Sequence, residues 1–211
     1  MTGGPRWHRG VLGPPSLSVL ECASEGRLLE EFYLAGGTGL ALSLGHRKSD
    51  DLDFFSSRPF VGQDLVEMLA HRFGGVELRA AERQTLHVRV RGAKVSFFGY
   101  RYPLLFPVAR FGAVAVADPR DIACMKLSAI ATRGTRRDFL DLFAVARTHS
   151  LSALLEMFER KYRAVPHSRL HLLKSLVYFD DAEKDPVPQM LVSSDWDEVK
   201  RFFVMQATRL A

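Results

Sequence analysis

The sequence predicts an α+β protein: a mixed sheet flanked by helices over residues 16–118, followed by a helical region over residues 119–211. Three observations carry this. Short apolar runs bounded by Gly, Pro, Asp and Ser recur as far as Val116, the pattern of strands between turns. Beyond Asp118-Pro119 the apolar residues fall three and four apart, which is helical spacing. Hydrophobic residues make up 47% and charged residues 25%, an ordinary globular balance that excludes a disordered chain.

Residues 1–15 carry four glycines and three prolines and are expected to form a flexible leader. Leu17, Leu20, Leu28, Leu29 and Phe32 then predict a helix over 17–32. Phe32–Ala35 reads as a short buried strand running into Gly36-Gly37-Thr38. Leu40–Leu44 supplies helix formers, with Thr38 as the expected N-cap. A second strand is expected over Asp51–Phe55, a loop over Ser56–Pro59, and a helix over Gln63–Phe73 that stops at Gly74-Gly75. Strands follow over Val76–Ala80, Thr85–Val90 and Lys94–Tyr100. Arg91-Gly92-Ala93 should turn the last two into an antiparallel hairpin, and Val114–Val116 closes the set. The helical half holds four expected helices, Asp121–Arg133, Arg137–Thr148, Leu151–Tyr162 and Trp196–Leu210, each with an apolar stripe.

No apolar run approaches the ~18 residues of a membrane span, and the first twenty residues lack the apolar core of a secretion signal. Cys22 and Cys124 stand apart without metal-site spacing, which excludes a disulfide scaffold and a zinc ribbon and fits a cytoplasmic protein. The net charge of +5 is compatible with an anionic partner such as a nucleotide or nucleic acid without requiring one.

The chemistry concentrates in Phe32–Ser57. On a strand, residues i and i+2 share a face, so Asp51 and Asp53 point to one place while Leu52 and Phe54 face the core. Two neighbouring carboxylates repel unless a cation lies between them, and a hard divalent ion such as Mg²⁺ or Mn²⁺ suits oxygen ligands. The other reading is a solvated pair on an edge strand. Gly36-Gly37 lets backbone approach a phosphate, and the following helix offers free N–H groups. Leu42 stands where GxGxxG needs its last glycine, and no GxxxxGK[ST] occurs, so dinucleotide and P-loop readings are disfavoured.

The string AGGTGLALSLGHRKSDDLDFF resembles the DNA polymerase β-type nucleotidyltransferases, and in particular the AbiEii/AbiGii toxin family with its MenT-type members. The run from Asp121 through Lys126 to Arg133, followed by Arg137-Asp138-Phe139-Leu140-Asp141-Leu142, is similar to that family's helical Lys motif and (K/R)DxxDL motif. The resemblance covers roughly residues 30–145. It implies a nucleotidyltransferase-type fold, an NTP substrate with Mg²⁺ or Mn²⁺, a tRNA acceptor and an antitoxin protein as partner, in a toxin–antitoxin or phage-defence system. Gly36, Gly37 and Thr38 would hold the triphosphate, with Arg47 and Ser49 in the same nucleotide-binding set. Asp51 and Asp53 would be catalytic and hold metal. Lys126 would contact phosphate, and Asp138 and Asp141 would order the second half of the site, residues 119–211 completing the cleft.

One departure stands out. The superfamily carries a third carboxylate on a neighbouring strand, and Ser96 occupies the place where it is expected; alternation puts Lys94, Ser96 and Phe98 on the acids' side, with Val95 and Phe97 buried. Two alternatives therefore stay open: a degenerate NTP-binding or interaction protein, and an aminoglycoside-type enzyme with a small-molecule acceptor. Weaker candidates are His167 with His171 as a metal pair or plain helix surface, Arg133, Arg136 and Arg137 as a nucleic-acid contact or a solvated helix end, and Phe97, Phe98, Tyr100 and Tyr102 as base-stacking groups or core.

Overall fold

The computed structural model describes residues 6–25 and 28–211, and the chain divides after Asp118 into two compact units. The first unit is a seven-stranded mixed sheet with helices. Its strands are β1 (Tyr33–Leu34), β2 (Leu52–Ser56), β3 (Val76–Glu82), β4 (Thr85–Val90), β5 (Ala93–Gly99), β6 (Ala109–Phe111) and β7 (Val114–Val116), in the spatial order β3-β4-β5-β2-β1-β7-β6. β2 runs parallel to β5 and β1 parallel to β7, while the other neighbours are antiparallel, including the expected β4–β5 hairpin.

Period-two alternation builds this unit. Leu52 and Phe54, Val95 and Phe97, and Leu86 and Val88 are buried, whereas Asp53, Phe55, Ser96, Phe98 and His87 between them are half-exposed. The buried side joins one core with Val19, Leu20 and Ala23 of helix α1 (Pro14–Ser24) and Leu65, Leu69 and Phe73 of helix α3 (Gly62–Phe73). Helix α2 (Gly36–Leu44) is a short element whose Thr38 to Leu42 are all buried. The expected helix over 17–32 stops at Ser24. Gly26 and Arg27 lie outside the described residues, and 28–31 form turns. Strand β6 escaped the sequence reading because three residues are too few to show a period.

Residues 6–13 are not a flexible leader. The His8 N–H donates to the carbonyl of Leu42, the Ser49 N–H to that of Val11, and Lys48 Nζ to that of Gly10, while Val11 and Leu12 are buried. The Gly13 N–H donates to the Asp50 carboxylate at 2.5 Å. Residues 1–5 of the expected leader lie outside the described residues. Glycine and proline content signals a segment without a strand or long helix, and a strap with a single 3₁₀ turn (Arg9–Val11), held by backbone hydrogen bonds, fits that description too.

The second unit is helical throughout: α4 (Pro119–Arg133), α5 (Arg136–Ala146), α6 (Leu151–Lys161), α7 (Arg169–Ser175), α8 (Asp180–Lys184) and α9 (Trp196–Leu210). Its centre is Phe139, whose ring meets those of Phe179, Trp196 and Phe203 at 5.1–6.0 Å. Asp121 and Lys161 form a wholly buried ion pair at 2.7 Å. Burial beside that pair pushes the Cys124 thiol up to about 12, so this cysteine is a core residue rather than a nucleophile. No helix among the described residues is long and apolar enough to cross a membrane.

Candidate active site

The sharpest local feature is the turn from β1 into α2. Gly36 has φ +60°, a left-handed conformation that costs glycine little, and a Cβ there would stand 2.8 Å from Asp53 Oδ2. A Cβ on Gly37 would stand 2.2 Å from an Arg47 guanidinium nitrogen. The glycine pair is thus required by two side chains that press against its backbone, Asp53 from β2 and Arg47 from the α2–β2 loop. The N-cap of α2 is Ala35, not Thr38, and Ala35 offers no capping side chain, so the helix begins at the glycine pair, where the first N–H groups of a helix have no intrahelical acceptor.

Thr38 instead lies inside the helix, 1% exposed. Its Oγ1 donates to the Asp51 carbonyl at 2.5 Å. A hydroxyl has a single proton, so at the 2.8 Å contact between the two hydroxyls Ser49 Oγ donates to Thr38 Oγ1. Arg47, 2% exposed, also donates to the carbonyl of Lys48 at 2.9 Å. Gly36, Gly37, Thr38, Arg47, Ser49, Asp51 and Asp53 are therefore joined through these contacts into one structure. Thr38, Arg47 and Ser49 hold backbone in place within it.

Asp51 lies just before β2 and Asp53 inside it. Lys94 Nζ of β5 approaches Asp51 Oδ1 at 3.8 Å, an exposed pair of little energetic weight. Ser96 pairs in register with Asp53 across the parallel β2–β5 ladder, on the same face, as alternation predicts. One strand further out, His87 pairs in register with Ser96, and its Nδ1 lies 3.0 Å from Ser96 Oγ. Beside Asp53, where a third carboxylate is expected from the resemblance, the sheet thus presents a Ser–His pair. His87 went unread in the sequence because only the strand register brings it there. The donor set fits a hard divalent ion only in part. The Asp51 and Asp53 carboxylates are the oxygen donors such an ion prefers, but among the described residues no three His, Cys, Asp or Glu side chains converge.

The second unit carries the other sequence-selected residues. Asp138 and Asp141 project from one face of α5 and grip Lys126 of α4, each at 2.8 Å. Burial works to lower the Lys126 pKa, but the two carboxylates, Asp141 more than Asp138, outweigh it and raise the pKa above the usual lysine value. Asp138 also caps its own helix: Thr135 Oγ1 accepts from the Asp138 N–H and Asp138 Oδ2 accepts from the Thr135 N–H, a reciprocal capping box.

Among the weaker candidates, the two histidines and Arg136 resolve as structure, while Arg133 and Arg137 are exposed. The His171 ring lies 2.9 Å from the Ala131 carbonyl and the His167 ring 3.0 Å from that of Val165, so they are not a metal pair. Arg136 neither faces a nucleic acid nor solvates a helix end. It donates to the carbonyls of Ala182 and Glu183 and lies over the Trp196 ring, tying α5 to α8 and α9. Phe97 belongs to the core, whereas Phe98, Tyr100 and Tyr102 do not.

Comparison with known proteins places these features in context. A family model described as the nucleotidyl transferase AbiEii toxin of type IV toxin–antitoxin systems matches residues 18–110 and 100–209. An uncharacterised protein of Aquifex aeolicus is 38% identical over 182 residues, covering 83% of this chain and 86% of its own. Among solved structures, JHP933 of Helicobacter pylori aligns with a TM-score of 0.57 at 18% identity, covering 94% of this chain and 93% of that one. The nucleotidyltransferase toxin MenT4 of Mycobacterium tuberculosis aligns at 0.54 and 17% identity, covering 94% and 87%. At such identities the two structures establish a shared fold.

Proposed function

Because the chain belongs to the AbiEii family of nucleotidyltransferase toxins, we propose that it transfers a nucleotide from an NTP to the 3′ end of an RNA, tRNA being the first acceptor to test, and that an antitoxin protein restrains it. The observation that carries the reading is the convergence at the β1–α2 turn: an uncapped helix N-terminus, two glycines with side chains pressed against them, and the Asp51/Asp53 pair.

In this reading the backbone N–H groups of Gly36, Gly37 and Thr38 bind the triphosphate, since a helix N-terminus and its dipole favour negative charge. Arg47 and Ser49 position that turn. Asp51 and Asp53 would hold Mg²⁺ or Mn²⁺. A divalent ion bound there neutralises charge that spreads over the phosphate oxygens in the transition state. Lys126, held charged by Asp138 and Asp141, is assigned to phosphate binding on the family motif. Ser96 is a poor base near neutral pH, so we assign removal of the acceptor proton to His87, next to Ser96 on the acids' face.

Incubation with each radiolabelled NTP, total tRNA and Mg²⁺ or Mn²⁺ tests the function. Label in tRNA is expected; label only in a small-molecule acceptor, or NTP binding with no transfer to anything, overturns the reading. For His87, His87→Ala should lower the transfer rate about 10²- to 10⁴-fold while NTP affinity holds. A wild-type rate in this variant removes His87 from proton transfer.

A further inference from the structure

The half-exposed face of the sheet does not end at the acids. Phe55, two residues beyond Asp53 on the same side of β2, stacks on Phe98 of β5 with ring centres 5.1 Å apart. Phe55 also meets Tyr100 edge-on at 5.4 Å, and Tyr100 meets Tyr102 at 5.1 Å. This chain of rings leads into an open cavity of about 490 Å³ at the C-terminal ends of β2 and β5, flanked by the β3–β4 turn. The cavity lies wholly within the first unit and is in the size range of a ligand site.

Its lining is basic and aromatic. Arg58, Arg83 and Arg101 stand around Tyr100 and Tyr102, and no Asp or Glu is among the described residues that line it. Arg58 is paired with Glu31 at 2.6 Å, whereas no carboxylate of the described residues pairs with Arg83 or Arg101. The Arg101 guanidinium lies 5.9 Å from the centre of the Tyr102 ring. Unpaired guanidiniums suit phosphates, which they bind through paired N–H donors, and tyrosine rings suit bases whose faces are open. A duplex hides its base faces, so this combination selects a single strand.

We propose that this cavity binds single-stranded RNA, holding the nucleotides that precede the acceptor 3′ end; the inference rests on the RNA-acceptor reading above. Ser56, at the cavity, is three residues from Asp53, about 10 Å along the strand. A few stacked nucleotides at about 3.4 Å each span that distance. The terminal hydroxyl then reaches the acids while its preceding nucleotides stay on the arginines and tyrosines.

Fluorescence anisotropy of a labelled ten-nucleotide single-stranded RNA, measured against salt, tests this on the full-length protein. The Arg83→Ala/Arg101→Ala double variant should weaken binding and make the log–log salt slope shallower by roughly 1.4, at about 0.7 per lost phosphate contact. Tyr102→Leu should weaken binding about 5- to 150-fold, the range for one lost base stack. Melting temperatures should stay within a few degrees of wild type and affinity for an NTP analogue with Mg²⁺ within two-fold, because Arg83 and Arg101 are exposed and Tyr102 is half-exposed. RNA affinity unchanged in both variants overturns the inference. So does an equal loss for NTP and RNA, which makes the cavity part of the nucleotide site. If wild type labels tRNA and the variants keep its KM for tRNA, the inference falls and the acceptor reading stands. If wild type neither binds nor labels any RNA, both fall.

Discussion

Asp51 and Asp53 stand two residues apart at the start of β2, Asp51 in an exposed pair of little weight with Lys94, and the proposed function makes both metal ligands. Asp51→Asn and Asp53→Asn should each cut nucleotide transfer by about a hundred-fold or more, the scale of a lost metal ligand, while the melting temperature holds or rises slightly. Wild-type transfer by either variant refutes the assignment. Lys126 makes the opposite case. Its charge is matched by two carboxylates in the same unit, so Lys126→Ala leaves two nearly buried acids facing each other and should cost about 3–5 kcal/mol of stability by denaturant titration. Since its folded pKa is raised, the pairing contributes fully below the unfolded lysine value, about 10.4, and is lost as pH rises through the higher folded value. A stability loss confined to acid pH contradicts that account.

At the scale of elements, the strap of residues 6–13 organises the site from a distance. It fastens the α2–β2 loop at Lys48, Ser49 and Asp50, and that loop carries Arg47 against Gly37 and Ser49 against Thr38. Val11, 1% exposed, anchors the strap in the core of the first unit. Val11→Asp buries an unpaired charge there and frees the loop. We expect weaker NTP binding in this variant together with faster hydrogen exchange over residues 45–51. NTP affinity equal to wild type would show that the loop holds its place without the strap. The same logic explains the Ser96–His87 pair: neither residue is placed by its own strand alone, and the β4–β5 hairpin register brings them to 3.0 Å.

For the whole molecule, the two units differ in how they are held. The first depends on strand pairing between residues far apart in sequence, such as β1 with β7 and β2 with β5. The second is built from successive helices around Phe139, with the Asp121–Lys161 pair and the Arg136 clamp made inside it. Residues 119–211 should therefore fold when expressed alone, with a helical circular dichroism spectrum and one cooperative melt, as local contacts favour. A fragment without a melting transition would show that its core is incomplete. Within it, Glu183 and Asp197 sit below their usual values because Lys200 donates to both, so the stability they add is present above pH ~4 and fades as pH falls through their folded values.

What the sequence determined by itself is whatever rests on short-range periodicity. Alternation at Leu52–Phe55 put Asp51 and Asp53 on one face, the glycine pair marked the β1–α2 turn, and the spacing after Pro119 marked a helical region. Those local patterns, with the motifs at Lys126 and Asp138, were enough to indicate the family. The tertiary structure alone decided which residues meet. Thr38 reads as a cap in sequence and is a buried tie to Asp51; Arg136 reads as a surface cation and is a clamp on α8 and α9; the glycine-rich start reads as loose and is a strap. His87, Arg83 and Arg101 carry no signal in sequence because strand register and turn placement give them their neighbours, and register is set by pairing across the sheet.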